Sequence, residues 1–137
     1  MSENEIGEVL IGCAIKVHTG LGPGLLESTY EVCLLHELSI AGIQADRQVP
    51  LPVIYKEVRL DAGYRVDLLV AKTVIAEIKV AEKLLPIHTA QLLSYLKLSN
   101  KRLGYLLNFN VAHMRNGIIM GCQQLLVFPL RPPRPLR

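Results

Sequence analysis

Arg65-Val66-Asp67-Leu68-Leu69-Val70, then Ala71-Lys72-Thr73, then Val74-Ile75-Ala76-Glu77-Ile78-Lys79-Val80 reads as two strands folded back on each other about a short turn. Both strands are nearly continuous in aliphatic residues, the pattern of strands covered on both faces. With Lys72 at the centre of a three-residue turn, Asp67 stands opposite Glu77. Side chains alternate along a strand, so Lys79 shares the face of Glu77, while Ala76, Ile78 and Val80 share the other. Directly opposed residues have Cβ atoms about 5 Å apart, and two carboxylates at that spacing repel unless a positive charge lies between them. A solvated ladder of ion pairs is the plain reading of an isolated Glu-x-Lys. The opposed Asp67 and the apolar setting argue instead for a divalent cation, because unpaired charge in such a setting is costly. Magnesium suits it, taking one or two protein carboxylates and keeping several waters.

Upstream, Ile6, Val9, Leu10, Cys13, Ala14 and Val17 recur at helical spacing, with Asn4 available as N-cap and an end at Thr19-Gly20. Gly20-Leu21-Gly22-Pro23-Gly24 is too rich in glycine and proline to continue the helix and serves as a connector. A second helix follows with Gly24 as N-cap, Glu27 three residues in, core positions that include Leu26, Cys33, Leu34 and Leu38, and Gly42 in the left-handed closing position. Gln48 to Val80 reads as three or four strands. Pro86 opens a third helix that runs through Leu98, and Leu103 to Leu107 reads as a buried strand. Helix, helix, strands, helix, strand predicts an α/β domain, a mixed sheet with helices packed on its faces. The apolar stretch Ile118 to Phe128 is compatible with a strand, a strand pair or a short helix. One domain over 1–128 and a flexible Pro/Arg-rich tail over 129–137 are expected.

Composition fits that picture. The chain has 137 residues, 50% hydrophobic and 20% charged, enough to bury a core without disulfides. Cys13, Cys33 and Cys122 are too far apart for a zinc motif and read as reduced thiols. No apolar run reaches the roughly 18 to 20 residues of a bilayer span, and Met1-Ser2-Glu3-Asn4-Glu5 is acidic where a secretory signal is basic, so a cytoplasmic location is expected. The formal charge is +3, and Arg131, Arg134 and Arg137 account for all of it. Net charge alone therefore lends little support to a polyanion partner.

Asp67 followed on the next strand by Glu77-Ile78-Lys79 resembles the signature of the PD-(D/E)xK nuclease superfamily. Gly24-Leu25-Leu26-Glu27-Ser28-Thr29-Tyr30 matches the motif of its GxxExxY branch, and Gln91-Leu92-Leu93-Ser94-Tyr95 resembles a Q-x-x-x-Y element of related members. The likeness covers roughly Ile6 to Asn110 in consistent order, the Asn108-Phe109-Asn110 segment included. After Gly117, Met120 and Gly121 stand where basic residues of a terminal strand would be expected.

The resemblance implies a restriction-endonuclease-like three-layer core and a Mg²⁺- or Mn²⁺-dependent nuclease that hydrolyses phosphodiester bonds of nucleic acid, with DNA the expected substrate. It implies that Asp67, Glu77, the backbone carbonyl of Ile78 and the helical Glu27 hold the metal, that Lys79 positions or activates the attacking water, and that Gln91 and Tyr95 orient the substrate backbone or the lysine. A homodimer would suit cutting of two strands. The alternative from another class is a non-catalytic nucleic-acid or protein-binding module on the same fold, which the neutral body favours. The residues themselves also allow structural roles: Glu27 suits a helix start, His88, Gln91 and Tyr95 form a polar helix stripe, and His18 suits a helix end.

Overall fold

A computed structural model of the chain describes residues 1–123. The later part of the Ile118 to Phe128 stretch, the proposed boundary at 128 and the tail from Pro129 lie outside them.

Helix α1 spans Glu3–Leu21 and α2 spans Glu27–Ile40; strands follow at Ala45–Pro50 (β1), Val53–Tyr55 (β2), Val58–Leu60 (β3), Arg65–Val70 (β4) and Val74–Lys79 (β5). Helix α3, Pro86–Ser99, leads to β6 at Leu103–Asn108, and a 3-10 turn at Met114–Gly117 leads to β7 at Ile118–Cys122. Five strands form one sheet in the order β1-β4-β5-β6-β7, and β2 and β3 make a separate two-stranded arm. Only β5 and β6 are parallel, joined through α3, so the sheet is mixed as expected.

The core has two compartments. Leu10, Ala14 and Val17 of α1 and Leu34 and Leu38 of α2 pack on Leu68, Val70, Ala76, Leu103 and Leu107. Leu92, Tyr95 and Leu96 of α3 pack on Val66, Ile75 and Leu106. The sheet is thus the middle of three layers. Strand β6 is buried along its whole length, and a Cβ at Gly104 would stand 2.9 Å from Leu92, so the missing side chain lets α3 approach.

Several ends differ from expectation, for local reasons. Ser2, not Asn4, caps α1, because Glu5 lies three residues on and closes a reciprocal box: Ser2 N donates to Glu5 Oε1 at 2.9 Å and Glu5 N to Ser2 Oγ at 3.2 Å. The helix runs past Thr19-Gly20 to Leu21, where Gly22 at φ 70° turns its amide back to His18 O. Leu26, not Gly24, is the N-cap of α2, since Gly24 at φ 99° belongs to the preceding turn. Its other end is as expected: Gly42 at φ 80° follows Ala41, and Ile43 N reaches back to Leu38 O. The region expected to hold three or four strands holds β2, β3, β4 and β5 with the end of β1, and the short β2–β3 hairpin turns at Lys56 and Glu57.

Candidate functional site

The β4–β5 hairpin has the expected register: Val70 pairs with Val74, Leu69 with Ile75 and Leu68 with Ala76 about Lys72. Beyond Leu68 the regular ladder stops. Val66 packs beneath α3, whereas Leu68 and Val70 pack beneath α1 and α2, so alternation is interrupted at Asp67. The simple expectation of one shared face is corrected accordingly: Asp67 opens onto a cleft with Glu27 and Ile78 on the α2 side, while Glu77 alternates with Ile78 along β5. A regular ladder would have set Asp67 beside Glu77 on the α3 side; the interruption turns its carboxylate to the α2 side.

They meet through each other's backbone. Asp67 N donates to Glu77 Oε2 at 3.0 Å, and Ile78 N donates to Asp67 Oδ2 at 2.8 Å. Glu77 is 4% exposed. Burial first, then the charge of Asp67 beside it, pushes the Glu77 carboxyl up to about 8. Among the described residues the ion pairs are Arg47–Glu31, Arg59–Asp61 and Lys72–Asp46, so Asp67, Glu77 and Glu27 are all without a basic partner.

Lys79 is half-buried, and its Nζ donates to Gln91 Oε1 at 3.3 Å rather than pairing with Glu77. Gln91 Nε2 in turn donates to the Tyr95 hydroxyl at 3.1 Å, which fixes the sense of the amide. Tyr95 is buried, and burial followed by the neighbouring Glu77 raises its phenol, keeping it a neutral hydroxyl near pH 7. The polar stripe of α3 is therefore no plain solvent face: His88, Gln91 and Tyr95 line a cleft together with Lys79.

Glu27 is exposed and is the first residue of α2, so a capping box does not account for it. It faces Asp67, Gln48 and Ile78 across the α2-side cleft. The tyrosine of the same motif is fully buried: Tyr30 stacks on Phe109 at 4.5 Å, donates to Gly22 O at 2.6 Å and accepts from Leu25 N at 3.1 Å. It fixes the connector that delivers Glu27. Asn108, 2% exposed, does the same for the ends of β5 and β6, donating to Ala81 O and accepting from Ala81 N and Asn110 N. His18 is buried with Nε2 2.7 Å from Val111 O, a structural role.

Three residues that sequence reasoning passed over belong to this site. Glu31, one turn after Glu27 and 5% exposed, lines the same cleft and pairs with Arg47 at 2.6 Å. Gln48 donates to Glu31 Oε1 at 2.7 Å and to Asp67 Oδ1 at 3.3 Å. Its backbone sits at φ 49° within a strand, an unfavourable place for a side-chain-bearing residue. The i, i+4 spacing of Glu27 and Glu31 was a readable signal; the turned backbone at Gln48 carried none.

The donors are hard oxygens, and burial together with the charge of Asp67 outweighs the nearby Lys79 in raising the Glu77 carboxyl. Asp67, Glu27 and Ile78 line one cleft and Glu77 accepts from the Asp67 amide, so the groups gathered here are oxygen donors of the kind a magnesium-type ion takes. Among the described residues no group of three or more His, Cys, Asp and Glu side chains is placed to hold a metal ion.

A mixed five-stranded sheet between helical layers, with acid, acid and lysine at the ends of adjacent strands, has the arrangement of a restriction-endonuclease-like α/β fold. The chain belongs to the PD-(D/E)XK nuclease superfamily, whose family model matches residues 4–120. Searches of curated proteins and of solved structures gave no match. Among the described residues no helix is long and apolar enough to cross a membrane.

Proposed function

We propose that the protein is a Mg²⁺- or Mn²⁺-dependent nuclease of the GxxExxY branch that hydrolyses phosphodiester bonds, with DNA the expected substrate. One observation carries the reading: Asp67 and Glu77 are in contact at the ends of β4 and β5, and neither has a basic partner among the described residues. In this reading Asp67, Glu77, the Ile78 carbonyl and Glu27 hold the ion. When bound, such an ion polarises a phosphoryl oxygen and lowers the pKa of a coordinated water.

The remaining work falls to the chain. Lys79, held by Gln91 and Tyr95, presents an ammonium to the attacking oxygen and to the extra negative charge of the five-coordinate phosphorus. Tyr30 and Asn108 keep the α2 connector and the strand ends in place, and Gln48 orients Asp67.

The assay is incubation of the full chain with labelled single- and double-stranded DNA and RNA, with and without Mg²⁺ or Mn²⁺. Metal-dependent cutting that Lys79→Ala abolishes is expected. Equal cutting by both proteins would point to a contaminant. Binding of nucleic acid with no cutting under any metal would favour the non-catalytic module, a reading supported by the finding that no three acidic, histidine or cysteine side chains among the described residues are placed to hold a metal.

A further inference from the structure

A cleft opens under α3. It measures about 620 Å³ and has Lys79 in its wall, within the range of sites that take small organic molecules. Tyr64, Tyr95, His88 and Ser94 line it, with apolar surface from Val53, Ile87 and Leu98. Aromatic and apolar walls with a few polar groups suit a planar heterocycle.

Tyr64 is built for stacking. It stands just before β4 and is 46% exposed, while its backbone carbonyl is anchored by Leu51 N at 2.8 Å. Its ring meets Tyr95 edge-on, 6.2 Å between centroids and 62° between planes, a geometry that leaves aromatic face uncovered. His88 adds directionality. Its Nδ1 accepts from Leu85 N at 2.9 Å, which assigns the proton of the neutral ring to Nε2 and makes that atom a donor. Ser94 Oγ, exposed on the next turn, has no hydrogen-bond partner among the described residues.

From these observations we infer that the α3 cleft is a nucleobase pocket, in which an unpaired base stacks on Tyr64 beside the lysine, so that the preferred substrate is single-stranded or frayed nucleic acid. This rests on the nuclease reading only in placing the reacting phosphate at Lys79. A base inside a duplex is stacked and paired and cannot enter a side pocket without leaving the helix, whereas an unpaired base stacks on an aromatic ring with little dependence on sequence.

The test measures binding of the full chain, in EDTA so that nothing is cut, to a fluorescein-labelled DNA single strand, to a strand of the same length with abasic sites in place of its bases, and to a duplex. The intact single strand should bind tightest. Tyr64→Ala should weaken that binding by about five- to a hundredfold, the range one base on one ring supplies, and leave abasic binding unchanged; Tyr64→Phe should stay near the parent. Equal affinity for intact and abasic strands, no effect of Tyr64→Ala, or no binding at all would overturn the pocket. Cutting is scored separately with Mg²⁺. Duplex cutting without a base preference would leave the nuclease reading standing and remove the pocket, and a base preference without cutting under any metal would do the reverse.

Discussion

Replacing Glu77 with glutamine should make the metal-free protein more stable above mildly acidic pH. In the fold the Glu77 carboxyl is raised to about 8 from an ordinary 4.5, by burial first and then by Asp67. Between those values the folded chain holds a proton that the unfolded chain has released. Stability from this group is therefore full below about 4.5 and is lost as pH rises through about 8. The slope is about 1.4 kcal/mol per pH unit, which across the window amounts to roughly 4 to 5 kcal/mol. Glutamine has the same shape, still accepts from Asp67 N through its carbonyl, and never ionises, so it should lack this slope.

The assay is urea unfolding of both proteins in EDTA from pH 5 to pH 9, comparing the difference between them so that other titrating groups cancel. The variant should gain on the parent steadily as pH rises, by a few kcal/mol at pH 7. Added Mg²⁺ should then restore the parent at alkaline pH, because the ion replaces the proton, and do little for the variant. Parallel curves at all pH values would refute the reasoning, since Glu77 would then be an ordinary carboxylate.

Asp67→Asn should abolish the rise in melting temperature that Mg²⁺ or Mn²⁺ gives the parent, while sparing or improving metal-free stability; thermal melts with and without metal check it. Tyr30→Phe removes the hydroxyl that satisfies Gly22 O and Leu25 N and should cost about 1 to 3 kcal/mol in chemical unfolding, with a larger loss of cutting than of substrate binding if the connector sets Glu27. Arg47→Met leaves Glu31 buried without its cation and should cost about 3 to 5 kcal/mol in the same assay, whereas pairing it with Glu31→Met should recover much of that loss.

Much of this molecule was legible in its sequence. The hairpin register followed from Lys72 and the two aliphatic runs, and the mixed sheet followed from helical periodicity on either side of them. Pro86 and Gly42 marked helix ends because each has one favoured backbone. Lys56-Glu57 interrupts the β-branched run and so marked the β2–β3 hairpin, although both residues take left-handed conformations more usual for glycine or asparagine. At the site, spacing put Gln91 and Tyr95 on one face of α3, their tie to Lys79 was implied by the family resemblance, and the fold links the three in a chain. Glu31, Arg47 and Gln48 were missed because their link runs between α2 and β1, a tertiary contact that local pattern does not encode.

The interruption at Asp67 and the turned backbone at Gln48 belong together. Strands β1 and β4 pair on either side of these two residues, Arg47 with Leu68 and Val49 with Val66, and no regular pairing is made between them. A regular strand pair there would keep Asp67 in strict alternation with Leu68, held to one side of the sheet. Local disruption frees the Asp67 carboxylate to reach the Ile78 amide and brings its own amide to Glu77. Gln48 is where the cost of order 1 to 3 kcal/mol for a left-handed residue is borne, and its side chain, tied to Glu31 and Asp67, holds the disruption in place. The disruption turns the Asp67 carboxylate toward Glu27 and Ile78 while its amide stays on Glu77, so the backbone outlier and the unpaired carboxylates lie at one place in the fold.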